Sequence, residues 1–216
     1  MKYKIDSIKK FLRKNLRWII LFVCMLIFLE TAEDVFENEI MKRDIIGYNL
    51  ISTYLMSDFI TPIAKFITNL GGAIFLISLA TILFIVIKNK RIGICIYLNL
   101  FIVTSLNLIL KNIVQRPRPT EYRLINESGY SFPSGHSMAS AAFYGFLIYL
   151  IYKKIENRKL KITLITILSL LILLIGTSRI YLGVHYTSDV FAGFCVSISY
   201  LVIYTNIIDD FINKKN

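Results

Sequence analysis

The chain contains only two histidines, His136 and His185, and each lies in a short polar cluster within an otherwise apolar sequence. The first follows Ser134 and Gly135 in the tetrapeptide PSGH, and the second stands four residues before Asp189. Because an unperturbed imidazole titrates near physiological pH, histidine can both accept and donate a proton there. Two histidines and a nearby carboxylate therefore favour proton transfer combined with nucleophilic chemistry.

The four-residue spacing of His185 and Asp189 would place both side chains on one face of a helix. The carboxylate can then accept a hydrogen bond from one imidazole nitrogen and direct the other nitrogen toward a substrate, as in a catalytic triad. A carboxylate at the head of a membrane span is costly without a partner. A purely structural ion pair with His185 is therefore the alternative interpretation.

The tetrapeptide that ends in His136 is typical of a helix N-terminus, because proline is favoured where helices begin. The backbone N–H groups of such a terminus point outward with the positive end of the helix dipole, and they bind anions. Gly135 would let a phosphate approach the backbone closely, and the Ser134 hydroxyl can donate a further hydrogen bond. The alternative is a capping serine beside a histidine that only packs at the lipid interface.

Three cations, Lys111, Arg118 and Arg179, lie near these clusters. The planar fork of arginine donors suits phosphate oxygens, which predicts a phosphate-binding role for the set. The alternative for each cation alone is a charge that extends to the membrane interface. Arg116 and Arg123 fit no position of the pattern, and we interpret them as charges at the rim.

The sequence predicts no metal site and no cofactor. His136, His185 and Asp189 could form a two-histidine, one-carboxylate metal site, but the surrounding cations would repel a divalent ion. The net charge of +11 does not indicate nucleic-acid binding, because the basic residues lie at the ends of apolar blocks rather than on a face interleaved with aromatics. We therefore expect the lipid bilayer and a membrane lipid as partners, with no nucleic acid and no obligate protein partner.

The composition indicates a membrane protein: 56% of the 216 residues are hydrophobic, and the mean hydropathy is +0.61. A transmembrane helix needs about 20 apolar residues. Five charge-free blocks meet this requirement, at residues 66–87, 92–110, 135–152, 162–178 and 190–208. A shorter block at residues 18–29 is a sixth candidate if its flanking charges reach the interfaces, and a cleaved signal peptide is the alternative.

The predicted fold is all-α, with one membrane-embedded domain over residues 1–216 and six transmembrane helices. Most of the 25 Lys and Arg residues fall on one side of this layout, which the positive-inside rule makes cytoplasmic together with both termini. The polar clusters then meet at the outer ends of the spans, so the active site would face outside. The three cysteines fall within apolar blocks and are interpreted as packing residues: Cys24, Cys95 and Cys195.

Residues 31–65, between the first two spans, begin with several acids and continue with apolar residues near helical spacing. This pattern predicts an amphipathic helix that lies on the outer surface or caps the pocket. A solvated loop with one helical turn is the alternative. The early acids are Glu33, Asp34, Glu37 and Glu39.

The three clusters together resemble the signature of the type 2 phosphatidic acid phosphatase superfamily, which includes bacterial membrane lipid phosphatases and, more distantly, soluble vanadium haloperoxidases. The resemblance covers residues 111–189, and no catalytic position departs from it. Its three parts are Lys111-x6-Arg118-Pro119, Pro133-Ser134-Gly135-His136 and Ser178-Arg179-x5-His185-x3-Asp189.

The resemblance implies that His185 is the nucleophile that forms a phosphohistidine, that Asp189 orients it, and that His136 protonates the leaving group and then activates water. The phosphoryl oxygens would be held by Lys111, Arg118, Ser134, Gly135 and Arg179. Fixed cations would thus replace the metal usual in phosphoryl transfer.

The resemblance also implies a terminal phosphate on a membrane lipid as the substrate. Undecaprenyl diphosphate, phosphatidylglycerophosphate and phosphatidic acid are the candidates, and outer-face recycling of the first suits the predicted topology. A membrane transporter of a phosphorylated or anionic solute is the alternative function. A transporter would need more polar residues inside its spans than this chain has.

Overall fold

The computed structural model of the protein describes residues 2–37 and 40–213, with side chains for residues 15–37 and 40–212. Glu39 and the tail lysines, Lys214 and Lys215, lie outside the described residues. The described chain contains no strand, so the prediction of an all-α fold is confirmed. Its helices are α1 (Lys2–Phe36), α2 (Lys42–Leu55), α3 (Ile60–Asn69), α4 (Ala73–Val86), α5 (Lys90–Val114), α6 (Gly135–Lys154), α7 (Arg158–Tyr181) and α8 (Thr187–Asn213).

Three of the described helices, α5, α7 and α8, are long and apolar enough to cross a membrane. The pair α3 and α4 adds a fourth span if it is counted as one broken helix, and its two members are bent by 51°. The span predicted at residues 66–87 is therefore divided between two helices and is not one continuous helix. Gly71 and Gly72 cause the break, because glycine is a poor helix former and the backbone of Gly72 is extended at φ −76° and ψ 153°. The count of six spans stays a prediction.

Helix α6 lies at the centre of the bundle, in contact with α5, α7 and α8. Small residues along its buried side allow close helix packing, as is common in membrane bundles. Larger side chains fill the core between α6 and its neighbours, and the Tyr144 hydroxyl donates a hydrogen bond of 2.7 Å to the Leu70 carbonyl. This bond ties the end of α3 to α6, next to the α3–α4 break.

The polar clusters lie at one end of this bundle, where α5 and α7 end and α6 and α8 begin. Gln115 ends α5 in the left-handed region at φ 53°, and the chain then crosses the bundle end in a loop over residues 115–134. The Ser134 amide donates to the Asp189 carbonyl at 3.0 Å, which joins the beginnings of α6 and α8. Residues far apart in sequence are thus held together by helix ends.

Helix α2 packs against the ends of α7 and α8 beside these clusters. Its Gly47 allows the close approach, because a Cβ there would come within 2.1 Å of the Thr187 side chain at the beginning of α8. This helix lies in the segment for which the sequence predicts an amphipathic helix, and it covers part of the bundle end.

Candidate active site

His185 and Asp189 form a buried pair at the beginning of α8. The Nδ1 atom of His185 lies 3.3 Å from Oδ2 of Asp189, and the two residues are 3% and 0% exposed. Only Asp189 belongs to the helix, since α8 begins at Thr187. The two side chains are therefore in contact, as predicted, but they do not share a helix face, because His185 precedes the helix. Asp189 also accepts the Tyr186 amide at 2.8 Å, so it caps the helix while it orients the imidazole.

Burial lowers the pKa of His185 to about 4, although the adjacent Asp189 carboxylate opposes this shift. The imidazole is therefore neutral at neutral pH. With Nδ1 bonded to the carboxylate, Nε2 carries the lone pair of the neutral imidazole. It accepts a hydrogen bond of 3.0 Å from a guanidinium nitrogen of Arg118, and this bond must break before Nε2 can attack a substrate.

Arg118 is fixed beside His185 by three backbone carbonyls. It donates to the carbonyls of Val184 at 2.9 Å, Gly129 at 3.0 Å and Ser128 at 3.0 Å. These bonds set the orientation of the guanidinium before any ligand arrives. Such a preorganised cation is suited to charge that develops on a phosphoryl group.

Arg179, at the end of α7, is almost fully buried. It donates to the Thr68 hydroxyl at 2.8 Å and to Oε1 of Glu127 at 2.5 Å. Its buried Nε has no hydrogen-bond partner among the described residues. Because an unsatisfied buried donor is costly, this atom indicates a place for a ligand oxygen.

Lys111, Ser134 and Gly135 complete the predicted phosphate-binding set around the beginning of α6. The Nζ atom of Lys111 donates to the carbonyls of Tyr130 and Ser131. Ser134 caps α6 by accepting from the Ser137 amide at 3.4 Å. A Cβ on Gly135 would lie 3.9 Å from Cε of Lys111, so the lysine runs past the N-terminus of the helix.

His136 lies in the first turn of α6, close enough to Arg179, Glu127 and His185 for electrostatic interaction with each. The structure thus brings all eight predicted site residues to one end of the bundle. They are Lys111, Arg118, Ser134, Gly135, His136, Arg179, His185 and Asp189.

The interpretation of Arg116 as a rim charge is wrong, because its side chain is only 6% exposed. It donates to Asp189 at 2.7 Å and to Asp44 of α2 at 2.8 Å. Its position two residues before Arg118 was visible in the sequence, but its distant partners were not. Arg123, by contrast, is exposed.

Glu127 is a second residue that the sequence did not single out. Its carboxylate bonds Arg179 and lies 4.0 Å from Arg118. Burial opposes its ionisation, but the hydrogen bond and charge of Arg179 outweigh burial and hold the pKa of Glu127 below its usual range. We call Lys111, Arg118 and Arg179 the cationic cradle. An ionised carboxylate, that of Glu127, therefore occupies part of this cradle.

Two cavities meet the site from different directions. One, of about 440 Å³, lies between α2 and the loops and reaches His185. The other, of about 220 Å³, is a largely apolar cleft that reaches His136. The cleft is lined by Gly71, Ala73, Leu76, Ile77, Leu100, Val103, Thr104, Asn107, Gly135, His136 and Ala139.

No group of three or more His, Cys, Asp or Glu side chains that could hold a metal occurs among the described residues. Among the side chains that the structure describes, the carboxylate of Asp189 alone is bonded to His185, and Arg116 is bonded to its other oxygen. The expectation of a metal-independent reaction stays a prediction.

These features define a helical membrane protein in which arginine and lysine side chains surround a buried histidine–aspartate pair. The sequence profile of the PAP2 superfamily matches residues 74–212, a range that contains every predicted site residue. The chain therefore belongs to the PAP2 superfamily, and it is a membrane-embedded phosphatase.

The similar proteins include a relative from Bacillus subtilis and two solved structures. Phosphatidylglycerophosphatase B of Bacillus subtilis (strain 168) is 30% identical over 177 residues, which cover 80% of this chain and 87% of the relative. The crystal structure of a transmembrane PAP2 type phosphatidylglycerolphosphate phosphatase from Bacillus subtilis has a TM-score of 0.77 at 28% identity and covers 91% of this chain and 98% of that one. The structure of Aquifex aeolicus LpxE has a TM-score of 0.62 at 26% identity, with 74% and 92% covered.

Proposed function

We propose that the protein removes the terminal phosphate of a membrane lipid phosphate or diphosphate through a phosphohistidine on His185, without a metal. The observation that carries this proposal is the neutral, Asp189-bonded imidazole whose Nε2 faces Arg118. Phosphatidylglycerophosphate is the first substrate to test, because the similar Bacillus proteins are named for it. Phosphatidic acid is the second, and undecaprenyl diphosphate gains no support from the similar proteins.

The proposed reaction has two steps. In the first, Nε2 of His185 attacks phosphorus while the bond to the lipid oxygen breaks, and His136 gives its proton to that oxygen. In the second, His136 takes a proton from water, whose oxygen attacks phosphorus and releases His185 and inorganic phosphate. The cradle cations and the N–H groups at the beginning of α6 stabilise the equatorial oxygens in both steps.

We further propose six spans with both termini in the cytoplasm and the site facing outside. The distribution of Lys and Arg supports this orientation. The helical end that carries the site would then meet the outer leaflet, where a lipid headgroup can enter the cradle while its tail stays in the bilayer.

The apolar cleft beside His136 is the proposed place for the lipid tail, because the proton donor must stand next to the leaving oxygen. Filling the cleft with Thr104→Trp on α5 should raise KM for a long-chain lipid phosphate about 5- to 150-fold, since overpacking costs about 1–3 kcal/mol. A short-chain, water-soluble analogue should be hydrolysed almost normally. Phe101→Trp, at an exposed position of the same helix outside the cleft lining, is the control. Equal effects on both substrates would place the tail elsewhere.

Glu127 should compete with anions for the cradle, because a phosphate must displace its carboxylate from Arg179. We expect Glu127→Gln to tighten inhibition by inorganic phosphate about tenfold, which corresponds to about 1.4 kcal/mol. Glu121→Gln, the same change in the same loop, should leave inhibition unchanged. Weaker inhibition in Glu127→Gln would instead mean that Glu127 supports the cradle rather than blocking it.

The proposed function is tested by phosphate release from purified protein with the three candidate lipids in detergent and with EDTA present. Release from at least one lipid that EDTA leaves unchanged is the expected result. Absence of release from all three would favour the transporter alternative. Release that stops with EDTA and returns with a divalent cation would contradict the metal-independent reaction.

A further inference from the structure

Three charged side chains form a continuous buried row from α2 to the histidine–aspartate pair. Arg116 stands in the middle, with one guanidinium nitrogen 2.7 Å from Oδ1 of Asp189 and the other 2.8 Å from Oδ2 of Asp44. Asp44 is 3% exposed. Ser188 joins the row, since its amide and hydroxyl both donate to Asp44, at 2.8 and 3.0 Å.

Arg116 determines how the Asp189 carboxylate is presented. The Oδ1 atom accepts a hydrogen bond from Arg116. The Oδ2 atom accepts hydrogen bonds from His185, the Tyr186 amide and the Ser131 hydroxyl. With both oxygens bonded on opposite sides, the carboxylate cannot rotate away from the imidazole.

The charge of Arg116 alone would weaken the pair that it holds. A cation 2.7 Å from Asp189 cancels the negative charge that stabilises a phosphorylated or protonated imidazole on His185. Asp44 bonds the far side of the same guanidinium, so the row of three keeps a net charge of one negative. The centre of the Tyr186 ring lies 4.0 Å from the guanidinium carbon, so the ring covers Arg116 and helps to keep this interaction out of water.

We propose that Arg116 and Asp44 are positioning residues for the reaction: Arg116 fixes the orientation of Asp189, and Asp44 restores the negative charge that Arg116 would otherwise cancel. Helix α2 is then part of the catalytic unit rather than a cover over it. This inference rests on the proposed role of His185 as the nucleophile.

Stability alone does not account for the row. A buried ion pair usually gives little net stability, because the desolvation of its charges offsets their attraction. Helix α2 also has other contacts that hold it, including the close approach of Gly47 to Thr187 and the stacking of Tyr48 on Tyr122 at 5.7 Å.

The test is Asp44→Asn, which keeps the size of the side chain and removes its charge. We expect kcat, counted per vanadate-binding site, to fall about 10- to 100-fold, the size of loss found when a residue that orients a metal ligand is removed. KM and inhibition by inorganic phosphate should change less than about threefold, because no cradle residue is altered. A structural role would instead lower the number of vanadate-binding sites and leave kcat per site unchanged, which would overturn the proposal.

The matched control is Asp34→Asn, because Asp34 and Arg43 form an ion pair of the same 2.8 Å length near the beginning of α2. That pair is exposed and lies outside the row. Its loss should leave kcat unchanged. A fall in kcat equal to that of Asp44→Asn would overturn the inference.

A double-mutant cycle separates action through Asp189 from a general effect on the site. In a protein that already carries Asp189→Asn, adding Asp44→Asn should lower kcat by less than about a further twofold, since the effects of coupled residues are not additive. Full additivity of the two losses would overturn the inference. If Asp44→Asn yields no vanadate-binding protein, Arg116→Lys replaces it in the cycle, because a lysine keeps the charge but cannot bridge both carboxylates.

These outcomes are separate from failure of the proposed function. An inactive wild-type protein in the lipid panel would contradict the function itself. An active wild-type protein with normal kcat in Asp44→Asn would contradict only the positioning role.

Discussion

Replacement of His185 by glutamine is expected to lower kcat at least about 10⁴-fold, because an amide cannot form the phosphoenzyme that the proposed reaction requires. Arg118 and Arg179 keep their carbonyl and hydroxyl partners in this variant, so inorganic phosphate should still bind to it. The measurement is phosphate release from a lipid phosphate, with binding of inorganic phosphate as the control for folding. Turnover within tenfold of the wild type would contradict the assignment of the nucleophile.

The covalent intermediate gives a second measurement on the same residue. Wild-type protein quenched in alkali during turnover of a ³²P-labelled substrate should retain label, since phosphohistidine survives base and is lost in acid. The His185→Gln protein should retain none. Label that survives in the variant would assign the intermediate to another side chain.

Replacement of His136 by glutamine is expected to separate substrates by their leaving groups. For a lipid alcohol, which must be protonated, the first turnover should slow about 10²- to 10⁴-fold, the usual contribution of a general acid. For a nitrophenyl phosphate, whose phenolate leaves without a proton, the first turnover should stay close to normal. Steady-state turnover of both should fall, because His136 also activates water in the second step.

The contrast is measured as the burst of phenolate in rapid mixing, compared with single-turnover release of the lipid alcohol. A burst followed by slow turnover is the expected pattern for His136→Gln with the phenyl ester. Equal slowing of the first turnover for both substrates would contradict the role of His136 as an acid. The His185→Gln protein serves as the control, since it should show no burst.

The sequence predicts the positions of those site residues that lie in short motifs at helix ends. A proline–serine–glycine run before His136 predicts the beginning of α6, and the spacing of His185 and Asp189 predicts their contact. Local backbone preferences and the hydrophobic blocks suffice for these, because each signal spans only a few residues. The convergence of the clusters follows once the blocks are arranged as an antiparallel bundle.

Other features depend on contacts that no local pattern encodes. Arg116 is buried only because Asp44, in a helix 72 positions earlier, supplies the second carboxylate. Glu127 reaches the cradle from the loop, through a bond to Arg179 across 52 positions. Hydropathy also could not reveal the break at Gly71 and Gly72, since glycine is nearly neutral on such scales and no charged residue interrupts the block at residues 66–87.

The position of the cleft between α4 and α5 determines how a lipid substrate reaches this enzyme. Its lining includes Ile77 and Thr104, which are exposed on the side of the bundle rather than at its end. A lipid that enters there arrives by lateral diffusion within one leaflet, so its mole fraction in the bilayer, and not its bulk molarity, sets the encounter rate. Adding inert lipid or detergent at constant total substrate should therefore slow the enzyme by surface dilution.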